Sequence, residues 1–267
     1  MNKIKVKNLH FTYSGGQEVL TGLNLHFDDR STAIIGQNGA GKTTFVKLLK
    51  GLLKPIQGDV WIKGFNTKEH TVASLARHIG LVFQNPNDQI FKSRVIDEVM
   101  FGPLNIGQVE QEAKKNAVNA LDMVGLSGQA EENPYDLSLS DRKLVSIASI
   151  VAMNTDILIF DEPTIAQDFC GREKIKKIIS HLRKEGKLII TIIHDMDFVA
   201  ETFERTIVFH RGMVLLDGEP REVFSQEQEL REAYLEQPHV TRLAKKLGIK
   251  ETLLTAEELI DYVKKPG

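Results

Sequence analysis

The loop Gly36-Gln37-Asn38-Gly39-Ala40-Gly41-Lys42-Thr43 constrains this chain more than any other stretch. It has the form G-x-x-x-x-G-K-[ST], and its flanks give that form physical meaning. Ser31-Thr32-Ala33-Ile34-Ile35 before it reads as a short buried strand, and Thr44-Phe45-Val46-Lys47-Leu48-Leu49 after it carries apolar residues at helical spacing. Strand, glycine-rich turn, helix is the context a phosphate cradle needs. The glycines let backbone N–H groups converge on a polyphosphate, and the helix start adds partial positive charge. Lys42 would reach the β- and γ-phosphates, the Thr43 hydroxyl would ligate Mg²⁺, and Thr44 completes the cradle. An ordinary glycine-rich turn rarely supplies both the lysine and the hydroxyl, so the loop implies nucleotide binding.

A second signal lies at 156–162, Asp156-Ile157-Leu158-Ile159-Phe160-Asp161-Glu162. An apolar run of this kind is a buried parallel strand. Its two terminal carboxylates fall at the strand's C-terminal mouth, where α/β proteins bind ligands. Asp161 would hold Mg²⁺ directly or through water, and Glu162 would orient and polarise an attacking water. An isolated Asp-Glu at a strand end is commonly inert; with the phosphate loop upstream, chemistry is the better reading.

The rest of the chain supplies the frame. Strand patterns occupy residues 3–13, 19–27, 58–62, 79–83 and 187–193, with a short helix at 72–77. The phosphate-loop helix ends near Gly51. From Pro86 to about Met153 the character is helical, with clear spacing at 110–124 and 137–153. A helix at 171–185, a hairpin around Arg211-Gly212 and a mixed-charge helical tail from about Glu219 follow. The pattern predicts an α/β fold: a parallel core, an inserted helical subdomain at about 86–153, and a tail at 219–267 after a body at 1–218. A net charge of −2 offers no support for nucleic-acid binding. The single cysteine, Cys170, excludes an intrachain disulfide and fits a reducing cytosol. Met1 to Lys5 runs straight into a strand pattern, so no signal peptide is expected, and the apolar stretch at 144–153 is too short to cross a bilayer. Any membrane role would act through a partner.

With both motifs in place, the chain resembles the ATP-binding cassette of an ABC transporter, a P-loop NTPase with a RecA-like parallel sheet and an antiparallel β subdomain. The resemblance implies roles for further residues. Gln84 matches the Q-loop glutamine that senses Mg²⁺ and γ-phosphate and touches the transport partner. His194 matches the switch histidine at the γ-phosphate, and Tyr13 the aromatic that stacks on adenine. Asp168 falls where the D-loop aspartate crosses a dimer interface, although Ile165-Ala166-Gln167-Asp168 departs from the usual S-A-L-D.

More narrowly, the segments 82–91 and 99–105 and the tail residues 243–248 and 254–259 are similar to the ATPases of energy-coupling factor (ECF) transporters. That resemblance implies an importer of vitamins or transition-metal ions. Two ATPases, often different, would pair beneath a membrane T component that carries a substrate-binding S component, placing the chain on the cytoplasmic face of the membrane. Docking is expected through Gln89, Ile90 and Phe91, with Asp88, Asp97 and Glu98 meeting a partner's arginines. A soluble non-transport ABC ATPase and an ATP-binding regulatory subunit are the alternatives.

One motif departs from the family. Where L-S-G-G-Q is usual, this chain has Leu137-Ser138-Leu139-Ser140-Asp141. The usual segment donates hydrogen bonds to the γ-phosphate held by the opposite subunit. Here a side chain stands where backbone should approach, and a carboxylate is added. Ser138 and Asp141 have the [ST]-x-x-[DE] spacing of a helix cap, so a cap is the expected role.

Overall fold

Alternation along the strands decides on which side each residue packs, and it divides the interior in two. The computed structural model describes residues 3–264. One sheet is antiparallel, in the order β2 (Glu18–Phe27), β1 (Ile4–Thr12), β4 (Gln57–Ile62), β5 (Phe65–Asn66). The other has six strands. Its order is β10 (Met213–Gly218), β9 (Arg205–His210), β3 (Thr32–Gly36), β8 (Leu188–Ile192), β7 (Ile157–Asp161), β6 (Ile79–Val82). All neighbours in it are parallel except the β9–β10 hairpin. Within β7, Ile157 and Ile159 face the core shared with the antiparallel sheet, while Leu158 and Phe160 face the opposite core. Strand β8 divides the same way: Leu188, Ile190 and Ile192 go to the first core and Ile189 to the second. A strand buried on both faces is expected to be a nearly continuous apolar run, and these are, with Thr191 in β8 and the terminal Asp161 of β7 as the buried polar positions.

Helices close both faces. Helix α1 (Lys42–Leu49) sits in the first core, and short α2 (Val72–Leu75) precedes β6. The second core lies under α3 (Val95–Asn105), α4 (Glu110–Val124) and α5 (Leu139–Val151), which pack on one another. Helices α6 (Phe169–Lys184) and α7 (Met196–Thr202) complete that layer. The tail forms α8 (Pro220–Ser225), α9 (Glu227–Glu232), α10 (His239–Lys246) and α11 (Ala256–Lys264). It joins the second core through Val223, Phe224, Leu230 and Leu254. Buried Arg205 ties the sheets together: it forks onto Asp217 at 2.6 Å and donates to the His26 carbonyl at 2.7 Å.

The α/β class, the inserted helices and the helical tail agree with the sequence reading. Helix α3 was not individually visible, because Gly102 and Pro103 interrupt its helical signal. Gly102 is required by packing: a Cβ there would stand 2.8 Å from Met153 Cγ. The stretch 137–153 becomes helical only at Leu139, since Ser138 is its cap.

Phe45 anchors α1, with its ring between Phe27 at 6.2 Å and Phe209 at 5.2 Å. Phe45→Ala should lower unfolding free energy by ~3–5 kcal/mol, measured by urea denaturation. A loss within ordinary surface scatter would mean the helix is held otherwise.

Candidate functional site

Parallel strands bring their C-terminal ends to one edge, and four of them deliver the candidate residues there. Strand β3 runs into the glycine loop, β7 ends in Asp161 and Glu162, β8 leads to His194, and β6 leads to Gln84. A cavity of about 370 Å³ is lined by Tyr13, Asn38, Gly39, Gly41, Lys42, Thr43, Thr44, Gln84, Asp161, Glu162 and His194. A larger hollow of about 850 Å³ under the tail is lined by five carboxylates, Glu219, Glu222, Glu251, Glu258 and Asp261, against the single cation Arg221, which is paired with Glu258. Its charge would repel phosphate, so chemistry rather than size selects the smaller cavity.

The loop is shaped by two glycines. A Cβ on Gly36 (φ 151°) would sit 2.4 Å from the Phe209 carbonyl oxygen. One on Gly41 (φ 98°) would sit 2.6 Å from Leu20 Cδ2. Gly41 caps α1 with no side chain of its own, so the first N–H groups of that helix face the cavity rim unblocked. Lys42 is buried, and its Nζ donates to the carbonyls of Gly36 at 2.6 Å and Gln37 at 3.0 Å. Burial lowers its pKa, opposed by the charges of Glu162 and Asp161. Both bonds are to weak neutral acceptors, which a phosphate oxygen would outcompete.

Asp161 and Glu162 face this lysine, each more than nine-tenths buried. Burial and then the neighbouring Glu162 push the Asp161 carboxyl up to about 6, against the pull of Lys143, Lys42 and Lys47. Glu162 Oε1 lies 2.9 Å from His194 Nε2, placed to accept from the ring N–H. Its backbone lies in the left-handed region (φ 50°), anchored by its N–H to the Ile192 carbonyl at 2.9 Å. A non-glycine residue in that conformation is strained, and such strain gathers at functional sites. Tyr13 is half-exposed, braced edge-on against Phe11, with its hydroxyl 3.1 Å from Thr44 Oγ1.

Elsewhere the geometry corrects expectations. Glu98 is buried, and its Oε2 accepts from the N–H groups of Phe91 and Lys92 at 3.0 and 2.9 Å. Asp97 is bonded to Arg94 at 2.7 and 2.9 Å, and Ile90 is buried. Gln89 is spent inside the protein on Phe83, Ser146 and Ser149. Of the six expected docking residues, Phe91 and Asp88 are the exposed ones, and Asp88 Oδ1 also accepts from Asn85 Nδ2 at 3.4 Å. Phe91 stacks edge-on with Phe101 at 4.6 Å, and the Lys92 ammonium lies over both rings. Asp168 caps α6, accepting from the Gly171 N–H at 2.7 Å.

The Leu137–Asp141 segment caps α5. Ser138 Oγ accepts from the Asp141 N–H at 3.1 Å and donates to Asp141 Oδ2 at 2.8 Å. Ser140 donates to Gln167 Oε1 at 3.0 Å, and Gln167 Nε2 donates back to the Ser140 carbonyl at 3.2 Å. The serine hydroxyls and the Asp141 carboxylate of this segment are thus engaged within the chain, and Leu139 is exposed beside them.

Two neighbours of the site escaped the sequence reading. Tyr234 of the tail stands exposed beside Gln37 to Ala40 and Arg211, and a sequence offers no signal for that approach. Lys143 is buried against the carbonyls of Phe83, Gln84 and Asp161. Its desolvation lowers its pKa to about 8. Preceded by Ser140, Asp141 and Arg142, Lys143 reads in the sequence as one more polar residue of the first helical turns, although a buried ammonium requires partners.

A glycine loop at a helix start, facing a carboxylate pair and a histidine across one cavity, defines a P-loop ATPase. The chain matches the model of the ABC transporter family over residues 20–165 and belongs to that family. It is 38% identical to the energy-coupling factor transporter ATP-binding protein EcfA of Methanocaldococcus jannaschii, over 94% of this chain and 91% of that protein. The solved cbiO1 of Clostridium perfringens, described as part of the ABC transporter complex cbiONQ, superposes with a TM-score of 0.78. It is 33% identical and covers 93% of this chain and 99% of its own. A cassette solved as a dimer in a post-hydrolysis state with ADP and phosphate gives a TM-score of 0.74 at 28% identity, covering 82% of this chain and 99% of that one. The chain is therefore an ABC ATPase of ECF type. Among the described residues no helix is long and apolar enough to cross a membrane.

Proposed function

We propose that this chain hydrolyses ATP to drive an ECF-type importer of vitamins or transition-metal ions, working as one half of an ATPase heterodimer at the cytoplasmic face of a membrane. The carrying observation is the Glu162–His194 contact of 2.9 Å across the cavity from Lys42. It supports reading Glu162 as the carboxylate that would orient water, across the cavity from the lysine that would hold the phosphates. The transport assignment draws support from likeness to EcfA and cbiO1 that extends over nearly the whole chain, tail included. In domain terms, 1–218 would be the cassette, with its helical subdomain at about 86–153, and 219–267 the extension.

The residues divide the work. Lys42 and the N–H groups of the loop from Gly36 to Thr44 hold the phosphates, while Tyr13 supplies an aromatic face for adenine. Glu162 orients the water, and His194 fixes that carboxylate and reaches toward the γ-phosphate. The buried Asp161, with Thr43 and Gln84, offers the hard oxygen donors Mg²⁺ prefers, and a cation would relieve the crowding of Asp161 by Glu162. Mg²⁺ bound there would neutralise charge developing on the phosphates.

The exposed Phe91–Phe101 pair with Lys92 replaces the acidic residues as the docking surface for the T component. A tagged chain recovered from native membranes should bring a second ABC ATPase and two membrane proteins. Phe91→Asp should lose the membrane proteins while retaining ATP binding. Recovery with soluble proteins alone would refute the transport reading.

A further inference from the structure

Lys143 belongs to none of the motifs read from the sequence, yet it sits where three of them meet. It lies in the second turn of α5, just past the Leu137–Asp141 segment, and is 1% exposed. Its Nζ donates to the carbonyls of Phe83 at 2.7 Å, Gln84 at 2.9 Å and Asp161 at 3.1 Å. A lysine ammonium has three donors, and all three are used. The same strip of chain is gripped a second time from the opposite direction. Gln89 Nε2 donates to the Ser146 carbonyl and Ser149 Oγ on α5, both at 2.9 Å, while its Oε1 accepts from the Phe83 N–H at 3.0 Å.

We propose that Lys143 is a positioning residue that locks Gln84 and Asp161 to α5, so that the two groups facing the metal and γ-phosphate hold a fixed separation and move with the helix that begins at the Leu137–Asp141 segment. This rests on the ATPase reading given above. Lys143 does not line the nucleotide cavity. It acts on backbone, and the side chains of Gln84 and Asp161 follow. Because the bonded carbonyls come from the exits of β6 and β7, removing the ammonium frees two strand ends at once. A displacement of even an ångström at such a site costs rate far more than affinity.

The test compares Lys143→Met, which keeps length and loses every donor, with Lys143→Arg, which restores charged donors. In the free chain, amide hydrogen exchange over residues 83–90 should accelerate by about tenfold or more in the Met variant, as expected when local opening becomes easier. In the complex, its kcat should fall by about 10- to 100-fold, with KM for ATP changed by less than about threefold. The Mg²⁺ concentration for half-maximal rate should rise, and Lys143→Arg should recover rate and exchange protection together. Should the Met variant fail to fold, Lys143→Gln, which keeps two amide donors, takes its place with intermediate effects expected. A folded variant with unchanged exchange over 83–90 and unchanged kcat overturns the proposal. So does equal loss of kcat and ATP affinity with no recovery by arginine, which would mark a general structural role. A wild-type complex without ATPase activity would instead refute the ATPase reading, and the exchange measurement stands apart from it.

Discussion

Lys42→Ala should lower ATP affinity by roughly 10- to 150-fold, the range of one charge-assisted hydrogen bond of about 1.5–3 kcal/mol. The loss should fall on binding because the ammonium is already aimed at the loop. In the free protein it bridges the Gly36 and Gln37 carbonyls and is itself buried. Transfer to a phosphate needs only a short movement of its tip. The substitution also leaves two carbonyls without their donor, so some stability is lost, but the loop's path is set by the glycines and not by the lysine. The Gly36 and Gly41 conformations depend on close approach to Phe209 and Leu20, which Lys42→Ala leaves in place. Calorimetric titration with Mg-ATP, after circular dichroism confirms folding, decides the matter. Unchanged affinity in a folded variant would end the assignment of this loop to phosphate.

What could be read from the sequence was whatever is local and periodic. The glycine loop, the carboxylate pair after β7 and the apolar strands each carry their signal within a few consecutive residues, and they appear within a residue or two of expectation. Ser138 as a cap was equally legible, since capping is a spacing rule. The details differ: Asp141 turns its carboxylate to the Ser138 hydroxyl instead of reaching back to the backbone N–H. What could not be read depends on an irregular turn or on distant chain meeting distant chain. Glu98 looks like a free surface acid in the sequence; its partners Phe91 and Lys92 are only seven and six residues back, but no periodicity announces the turn that brings their N–H groups onto its carboxylate. The Ser140–Gln167 pair joins residues far apart in sequence, each at a position where the family pattern has something else. Lys143 likewise finds its partners on two strand exits that no periodicity announces.

In a complex with a second ABC ATPase, Glu162→Gln in this chain should remove most hydrolysis, about 10²–10⁴-fold at its own site. The matching change in the partner should leave substantial activity. Each composite site joins one subunit's phosphate loop to the other's L-S-G-G-Q segment. This chain brings Lys42, Asp161, Glu162 and His194 already gathered on one cavity. To the partner's nucleotide it would present Leu139, Ser140 and Asp141, and their engagement within the chain argues that these would serve poorly. The Ser138 hydroxyl is committed to capping α5, and the Ser140 hydroxyl to Gln167. Leu139 is exposed where the backbone should approach. A carboxylate about 6 Å from a phosphate charge adds repulsion of roughly 3 kcal/mol at an effective dielectric of 20. A homodimer would place this poor segment against both nucleotides, so the chain alone should hydrolyse ATP slowly, and a partner with an intact segment should raise the rate. Steady-state rates of the two single variants in reconstituted complex are the deciding measurement. Equal losses, or the greater loss from the partner's substitution, would show that Asp141 and Leu139 do not disable the site they face.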